Sequence, residues 1–213
     1  MEPQQSRMGR PPLTERRKAA TRLEIAQEAV RLFEAKGVAA TSAEEIAQAV
    51  GISQRTLWRY FPSKEQFVEP LLVSGIELMA QRLREWRPGT PVHVGWDEAE
   101  AEADSAATVT ITATPEAVTA LRGLVRLTRE EDGLRAVWLQ VHQQAEAVFA
   151  EAVAERTGRT PQDLEPRVQA AMINSALRVA VEDWAWNGTD AGPAALVEVT
   201  ERAMRVAAAG LPG

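Results

Sequence analysis

Two short helices joined by a very short turn, within residues 41–64, constrain this chain more than any other feature. Ser42, with Glu45 three residues later, has the capping-box pattern that begins a helix. Gly51 ends that helix, and Ser53 can cap the next one after a single intervening residue. A turn this short forces a sharp angle between the helices, which is typical of a helix-turn-helix unit that binds DNA.

The second short helix, predicted over residues 53–61, carries more large polar and aromatic side chains than a core requires. Leu57 and Phe61 are four residues apart and are expected to face the core. The side chains left outside are Gln54, Arg55, Thr56, Trp58, Arg59 and Tyr60. Gln pairs bidentately with adenine and Arg with guanine, and such helices read bases near their N-termini. We therefore expect Gln54 and Arg55 to read bases.

The neighbouring polar side chains are expected to set the register on the phosphate backbone. Arg59 can reach bases or backbone, whereas Thr56, Trp58, Tyr60 and Lys64 are better placed for phosphates. The backbone N–H groups at the helix starts near Ser42 and Lys64 are further phosphate donors. The alternatives are a half-buried core position for Tyr60, a solvated first-turn position for Lys64 and a surface role for the predicted base readers.

Charge is divided unevenly along the chain. Residues 1–64 carry 11 Lys/Arg against 7 Asp/Glu, whereas residues 65–213 carry 13 against 23. A polyanion such as DNA is attracted to the first part and repelled by the second, although chance clustering on solvated helix faces gives the same totals. Residues 1–13 lack periodicity and form either a disordered tail or a basic arm whose Arg10 enters the minor groove.

The composition excludes several classes of protein. The absence of Cys removes disulfides and thiolate metal sites, and two His residues cannot form a His-rich metal site. No apolar run approaches the 18 residues of a membrane span, and the N-terminus lacks the apolar core of a signal peptide. We expect a cytoplasmic protein that does not insert in membranes and that has neither a metal site nor a cofactor.

The string IAQAVGISQRTLWRYFPSKEQF, preceded by EAVRLFEAKGVAATSAEE, resembles the TetR family of regulators. The resemblance covers about residues 20–68 and is most specific over residues 57–65. It implies an all-α homodimer in which three N-terminal helices bind DNA, while a variable helical domain binds a small ligand and dimerises. It also implies phosphate contacts at Thr56, Trp58 and Lys64, although in the family Tyr is commoner than Trp at the place that Trp58 occupies.

The periodicity of the remaining chain predicts further helices. We expect an arm over 1–13, a three-helix DNA-binding domain over 14–62 and a larger helical ligand-binding and dimerisation domain over 63–213. The predicted helices span about 14–36, 42–51, 53–61, 63–86, 114–129, 132–156, 160–186 and 193–209. Residues 89–113 fit least well, because residues 108–112 alternate like a strand without a partner, and a loop or extended connector is expected there.

The last two predicted helices are rich in small and aliphatic residues, and the first of them is apolar most of the way round, which implies burial on two sides. Two such helices from each of two subunits would form a four-helix bundle, and the alternative is the core of a monomer. The candidate ligand-binding residues are Trp138, His142, Phe149, Met172, Asn174, Arg178, Glu182 and Trp184. The alternatives are that the aromatic residues are plain core and that Arg178 and Glu182 form a solvated ion pair.

Three functions remain open from the sequence. The leading hypothesis is a repressor that binds a near-palindromic DNA operator as a dimer and is released by a small, largely apolar ligand. The second is a ligand-independent regulator of the same fold, controlled by abundance or by a protein partner. The third is an α-helical enzyme, which is disfavoured because the chain has no HExxH, P-loop, dinucleotide-binding or GxSxG motif.

Overall fold

The computed structural model describes residues 13–85, 114–189 and 192–209, and α-helices dominate these segments, with no strand among them. The helices are α1 (Leu13–Lys36), α2 (Ala43–Ala49), α3 (Gln54–Tyr60), a 3₁₀ helix (Glu65–Val68), α4 (Glu69–Glu85), α5 (Pro115–Leu127), α6 (Asp132–Thr157), α7 (Leu164–Asn187) and α8 (Pro193–Ala209). The all-helical prediction is confirmed. The predicted arm with Arg10 and the predicted connector over 89–113 lie outside the described residues, apart from Leu13, which begins α1.

The first three helices share one apolar core. Ile25 and Phe33 of α1 are buried against Ile46 of α2 and Leu57 of α3. Phe61, the residue that ends α3, is also buried, so the predicted inward face of the second short helix is confirmed. Burying side chains of this size stabilises the fold by about 1.5–3 kcal/mol each, which fixes the angle between the short helices.

The turns that join these helices have the predicted residues in the predicted places. Ser42 caps α2 in a reciprocal capping box with Glu45, and Ser53 caps α3. Gly51 adopts φ 69°, a left-handed conformation that costs glycine less than any residue with a Cβ. The helix-turn-helix geometry therefore follows from local sequence signals.

The long helix predicted from Ser63 does not form as one α-helix, and this prediction was wrong. Ser63 does accept a hydrogen bond from the backbone N–H of Gln66, at 3.4 Å, but a 3₁₀ helix follows and α4 begins only at Glu69. Pro70 explains the break, because it has no N–H to donate to the carbonyl of Gln66. The Glu69 N–H bonds to that carbonyl instead, in the tighter 3₁₀ pattern.

The remaining helices form the larger helical unit. Helix α7 packs against α6 on one side and α8 on another, and α4 packs along α6. Along α6, Trp138, His142, Ala145 and Phe149 are buried, and their spacing places them on one face of the helix. This unit contacts the first three helices mainly through α1, which packs against the 3₁₀ helix, α4 and α5. The 3₁₀ helix in turn packs against α6.

Helix α7 begins later than the predicted start near Thr160. Residues 161–163 form a turn, in which the carboxylate of Asp163 accepts a hydrogen bond from the backbone N–H of Thr160 at 3.0 Å. The carboxylate thus points back into the turn and not onto the new helix. Leu164 is the first helical residue, and Pro166 falls in the first turn, where proline is tolerated.

Over the three described ranges, no helix combines the length and the apolar character needed to cross a membrane.

Candidate functional site

Helix α3 presents a polar face that the core does not use. Gln54, Arg55 and Arg59 are exposed, while Leu57 on the opposite face is fully buried. The N-terminus of α3 is fixed by Ser53, whose Oγ accepts a hydrogen bond from the Thr56 backbone N–H at 3.1 Å. A fixed helix start determines where the first side chains project, and the first side chains are the predicted base readers.

Thr56 is more constrained than the sequence indicates. It is half-buried, and its Oγ1 lies 2.8 Å from the Ser53 Oγ, so its hydroxyl takes part in capping α3. A hydroxyl can donate and accept at once, and the remaining capacity of Thr56 is compatible with a phosphate contact. The predicted phosphate contact stays a prediction.

The aromatic residues of α3 extend from the core to the surface. Trp58 is 42% exposed, and its ring lies 5.3 Å from that of buried Phe67. Tyr60 is half-buried, which agrees with the alternative that it is partly a core residue. The guanidinium carbon of Arg59 lies 5.5 Å from the centre of the Tyr60 ring. Both surface aromatics are therefore held by packing, with one edge left toward solvent.

The start of α2 is occupied by its own side chains. Ser42 is exposed, but its backbone N–H donates to the Glu45 carboxylate at 2.8 Å, and Lys36 also bonds that carboxylate. The bond from Lys36, together with those from Ser42, lowers the pKa of Glu45 to about 2. The Ser42 N–H thus serves the capping box, and a phosphate contact at the start of α2 stays a prediction for the other backbone N–H groups of its first turn.

Lys64 is also engaged within the protein. Its ammonium donates to the backbone carbonyls of Val38, at 2.6 Å, and Thr41, at 3.1 Å. The side chain is therefore neither a simple solvated residue nor a fully free phosphate donor. One of its three N–H groups remains for another partner.

Most of the predicted ligand-binding residues pack against one another between α6 and α7. Glu182 accepts hydrogen bonds from the indole N–H of Trp138 and from Arg178, each at 3.0 Å. The Nδ2 of Asn174 donates to the backbone carbonyl of His142 at 2.9 Å, so its Oδ1 faces the ring and accepts from Nδ1 at 2.7 Å. These polar groups satisfy one another.

Burial lowers the pKa of His142 below its ordinary value, and the positive charge of Arg178 acts in the same direction. The hydrogen bond with Asn174 and the charge of Glu182 oppose this shift. Since burial dominates, His142 is a neutral core residue near pH 7. The Arg178–Glu182 ion pair is partly buried, so it is not the solvated ion pair that was the alternative to ligand binding.

Phe149 and Trp184 are core residues. Phe149 is fully buried, and Trp184 is 2% exposed. Within the described part of the chain, the Trp184 indole N–H and the Nε of Arg122 have no hydrogen-bond partner, although the Arg122 guanidinium lies 5.8 Å from the centre of the Trp184 ring and donates to the carbonyl of Gly188. Phe149 and Trp184, which were candidate ligand-binding residues, therefore belong to the packed interior.

A cavity of about 360 Å³ lies elsewhere, at the end of α6 distant from the 3₁₀ helix. Of the predicted ligand-binding residues only Met172 lines it. The other lining residues are Leu83, Val153, Arg156, Thr157, Gln169, Ile173, Met204, Ala207 and Ala208. Helical periodicity gives no signal for the cavity, because its lining residues come from four different helices.

Metal-ligating residues do not gather in the described ranges: no group of three or more His, Cys, Asp or Glu side chains is placed to hold a metal ion.

A tightly capped helix pair with an exposed polar face, followed by a helical unit, defines a helix-turn-helix DNA-binding regulator. Residues 25–71 match the bacterial regulatory proteins of the tetR family, and residues 101–212 match the MftR C-terminal domain. The chain belongs to the TetR family of transcriptional regulators, with a C-terminal domain of the MftR type. It is a regulator and not an enzyme.

Two curated proteins resemble most of the chain. The HTH-type transcriptional regulator TcmR of Streptomyces glaucescens is 29% identical over 180 residues, covering 82% of this chain and 77% of TcmR. The protein named MftR in Mycobacterium tuberculosis, a regulator assigned to mycofactocin biosynthesis, is 27% identical over 192 residues, covering 85% of each.

The chain is also similar over most of its length to solved structures of TetR-family proteins. A regulator from Mesorhizobium loti is 21% identical, covers 91% of this chain and 97% of its own, and gives a TM-score of 0.48. Thermus thermophilus FadR, solved with lauroyl-CoA, is 22% identical, covers 90% and 95%, and gives a TM-score of 0.45.

Proposed function

We propose that this regulator is a repressor that binds a near-palindromic operator as a homodimer and is released by a small, largely apolar ligand. The observation that carries the proposal is the exposed polar face of α3, with Gln54, Arg55 and Arg59 projecting from a helix whose start and inner face are fixed. Gln54 and Arg55 read bases, while Thr56, Trp58 and Tyr60 set the register on phosphates.

The test of operator binding is selection of duplexes by the purified full-length protein from random DNA, followed by sequencing. The proposal expects an enriched near-palindrome whose half-sites lie one helical turn of DNA apart or a multiple of it. Recovery of unrelated sequences only, or of an enriched single half-site, would contradict it. Repression is tested by placing the selected site between a promoter and a reporter gene, where expression should fall when the protein is present.

An apolar stripe supports the homodimer. Leu164, Val168, Met172 and Val179 are exposed along α7, and Val206 is exposed on the neighbouring α8. The spacing of the α7 residues keeps them close to one face of the helix. A second copy of the chain, contributing the same two helices, covers such a face in an isologous four-helix bundle.

The cavity at the distant end of α6 supports the release by ligand. Its lining is mainly apolar and contains two methionines, whose flexible side chains adapt to different ligand shapes. Gln169 and Thr157 add polar groups that can orient a ligand. Met172 both lines the cavity and belongs to the proposed dimer face, so an occupant can alter the packing between subunits.

Release requires the ligand to prefer the conformation that does not fit the operator. A preference of about 1–3 kcal/mol weakens operator binding about 5- to 150-fold. The test measures operator affinity by fluorescence anisotropy with a panel of apolar carboxylic acids and neutral aromatic compounds. Replacing Ala207 by Phe fills the cavity and should abolish the response while operator affinity is retained.

The matched control is Ala147→Phe, at an exposed position in the middle of α6 away from the cavity, and it should respond like the wild type. A ligand that acts equally on the wild type and on the Ala207→Phe variant would place the effector site elsewhere.

A second candidate is a ligand-independent regulator of the same fold. The self-satisfied packing of Trp138, His142 and Asn174 supports it, because these residues leave each other few free polar groups for a ligand. A panel that changes neither the melting temperature nor the operator affinity of the wild type favours this candidate.

A further inference from the structure

Lys64 joins two parts of the DNA-reading unit that are distant in sequence. It follows α3 and the buried Phe61, and it directly precedes the 3₁₀ helix. Its ammonium donates to the carbonyls of Val38 and Thr41, which are 26 and 23 residues away. Both carbonyls belong to the turn between α1 and α2, so the Lys64 side chain connects the residues just before α2 to those just after α3.

The turn offers an environment suited to a cation. The Thr41 hydroxyl donates to the carbonyl of Gly37 at 2.8 Å, and Gly37 adopts φ 86° as the chain leaves α1. The carbonyls at a helix C-terminus carry partial negative charge, and the ammonium of Lys64 adds the positive charge that this end favours. Thr41 itself is 1% exposed, so its carbonyl has little access to water and depends on a protein donor.

We infer that Lys64 is a positioning residue, which holds the α1–α2 turn against the end of α3 and thereby fixes the orientation of both reader helices. This inference rests on the proposed operator binding. Two of the three ammonium N–H groups serve the protein, and the reader helices lie between the two points that the side chain connects. Loss of the ammonium should leave each helix intact but loosen the angle at which α3 meets the groove.

A positioning role and a phosphate contact differ in their dependence on salt. Each phosphate contact that is lost lowers the magnitude of the slope of log affinity against log salt by about 0.9, or about 2 for the two Lys64 residues of a dimer. It also weakens specific and non-specific binding together. If α3 is held less firmly, the protein loses the base contacts that distinguish the operator. The number of counterions released on binding changes little, so the salt slope stays nearly the same.

The experiment uses the full-length protein, the duplex selected by the wild type and a scrambled duplex of the same length. Affinities of the wild type and of Lys64→Met are measured over a range of salt concentrations. We expect operator affinity to fall about 10-fold or more, scrambled-duplex affinity to stay within about twofold, and the salt slope to stay within about 0.5 of the wild type. A slope reduced by about 2, with equal loss on both duplexes, overturns the inference.

Two further variants complete the test. Arg159→Met removes one positive charge at the exposed end of α6, distant from the reader, and controls for net charge. Lys64→Arg keeps a charged group with several donors and should recover most of the specificity. A Lys64→Arg variant that distinguishes the operator from the scrambled duplex no better than Lys64→Met contradicts a positioning role.

Hydrogen exchange provides a readout that does not depend on DNA. The Thr41 amide, which bonds the carbonyl of Val38 at 3.3 Å in the α1–α2 turn, should exchange faster in Lys64→Met than in the wild type, while the amides of α6 should not change. If Lys64→Met does not fold, Lys64→Gln, which keeps neutral donors, takes its place in every measurement. A wild type that selects no duplex refutes the proposed function, whereas unchanged exchange and specificity in the variants refute only the role of Lys64.

Discussion

The carboxylate of Glu34, near the end of α1, lies against the backbone of Gly123 in α5. The position that a Cβ would take on Gly123 is 2.5 Å from both carboxylate oxygens of Glu34. A second pair repeats the arrangement, because Glu65 of the 3₁₀ helix lies 2.8 Å, at its Cγ, from the Cβ position of Gly133 at the start of α6. Two glycines, one in α5 and one in α6, are thus covered by acidic side chains of α1 and of the 3₁₀ helix.

The Gly123→Ala variant tests this contact. Alanine favours a helix interior by about 1 kcal/mol over glycine, but here the Glu34 carboxylate must move away. We expect the substitution to add about 1 kcal/mol to the free energy of unfolding in a Glu34→Ala background and clearly less in the wild type. Urea denaturation of the four proteins of this cycle measures the difference.

Gly75 in α4 is the matched control, because nothing lies within 4 Å of its Cβ position. Gly75→Ala should stabilise both backgrounds equally. Equal effects of Gly123→Ala in both backgrounds would show that the contact with Glu34 has no energetic weight.

Replacing Arg55 by Ala should relax the sequence preference of the protein. A bidentate Arg–guanine pair contributes about 1–3 kcal/mol of discrimination, so operator affinity should fall roughly 5- to 150-fold, while binding to scrambled DNA falls much less. Anisotropy titrations with both duplexes provide the measurement. Arg159→Ala carries the same charge change at a distant exposed site and should bind as the wild type does. Equal loss on both duplexes would assign Arg55 to the phosphate backbone.

Replacing Val168 by Asp should weaken the proposed homodimer. A charge in the centre of an apolar interface costs about 2 kcal/mol or more, which raises the dimer dissociation constant roughly 30-fold. Analytical ultracentrifugation over a range of concentrations measures it. Leu139 on α6 is similarly exposed but lies away from the α7 stripe, so Leu139→Asp should leave the constant unchanged. The opposite ranking of the two variants would move the interface to α6.

The buried His142 predicts a pH dependence of stability. Its folded pKa is lowered, mainly by burial, so the unfolded chain takes up a proton at higher pH than the folded protein does. The stabilising effect is therefore complete above about pH 6.5 and is lost as the pH falls below that value. Denaturant titrations between pH 7.5 and about 5 should show a steeper loss of stability in the wild type than in His142→Leu. Parallel curves would mean that His142 titrates alike in both states.

The fold of the DNA-reading unit could be predicted because its determinants are local in sequence. Ser42 and Glu45 are three residues apart, and Leu57 and Phe61 are four apart, so helical periodicity alone places each pair. Lys64 could not be placed in this way, since the carbonyls that it bonds are more than 20 residues distant.

The cavity was not predictable for a related reason. It requires the ends of α4, α6, α7 and α8 to meet, and the stripe of Trp138 and Phe149 has the same periodicity whether it lines a pocket or fills a core. Pro70 is a different case, because a proline inside a predicted helix indicates a break. The prediction of one helix over residues 63–86 followed the periodic pattern and ignored this proline.

The interruption at Pro70 has a mechanical consequence for the whole molecule. A continuous α-helix resists torsion, because every residue is tied to the one four positions earlier. Between the 3₁₀ helix and α4 one of these ties is missing, so the two segments can twist against each other with little elastic cost. The stiffness of the connection between the first three helices and the larger helical unit therefore depends on the apolar core that they share, which includes Phe61, Phe67 and Leu124.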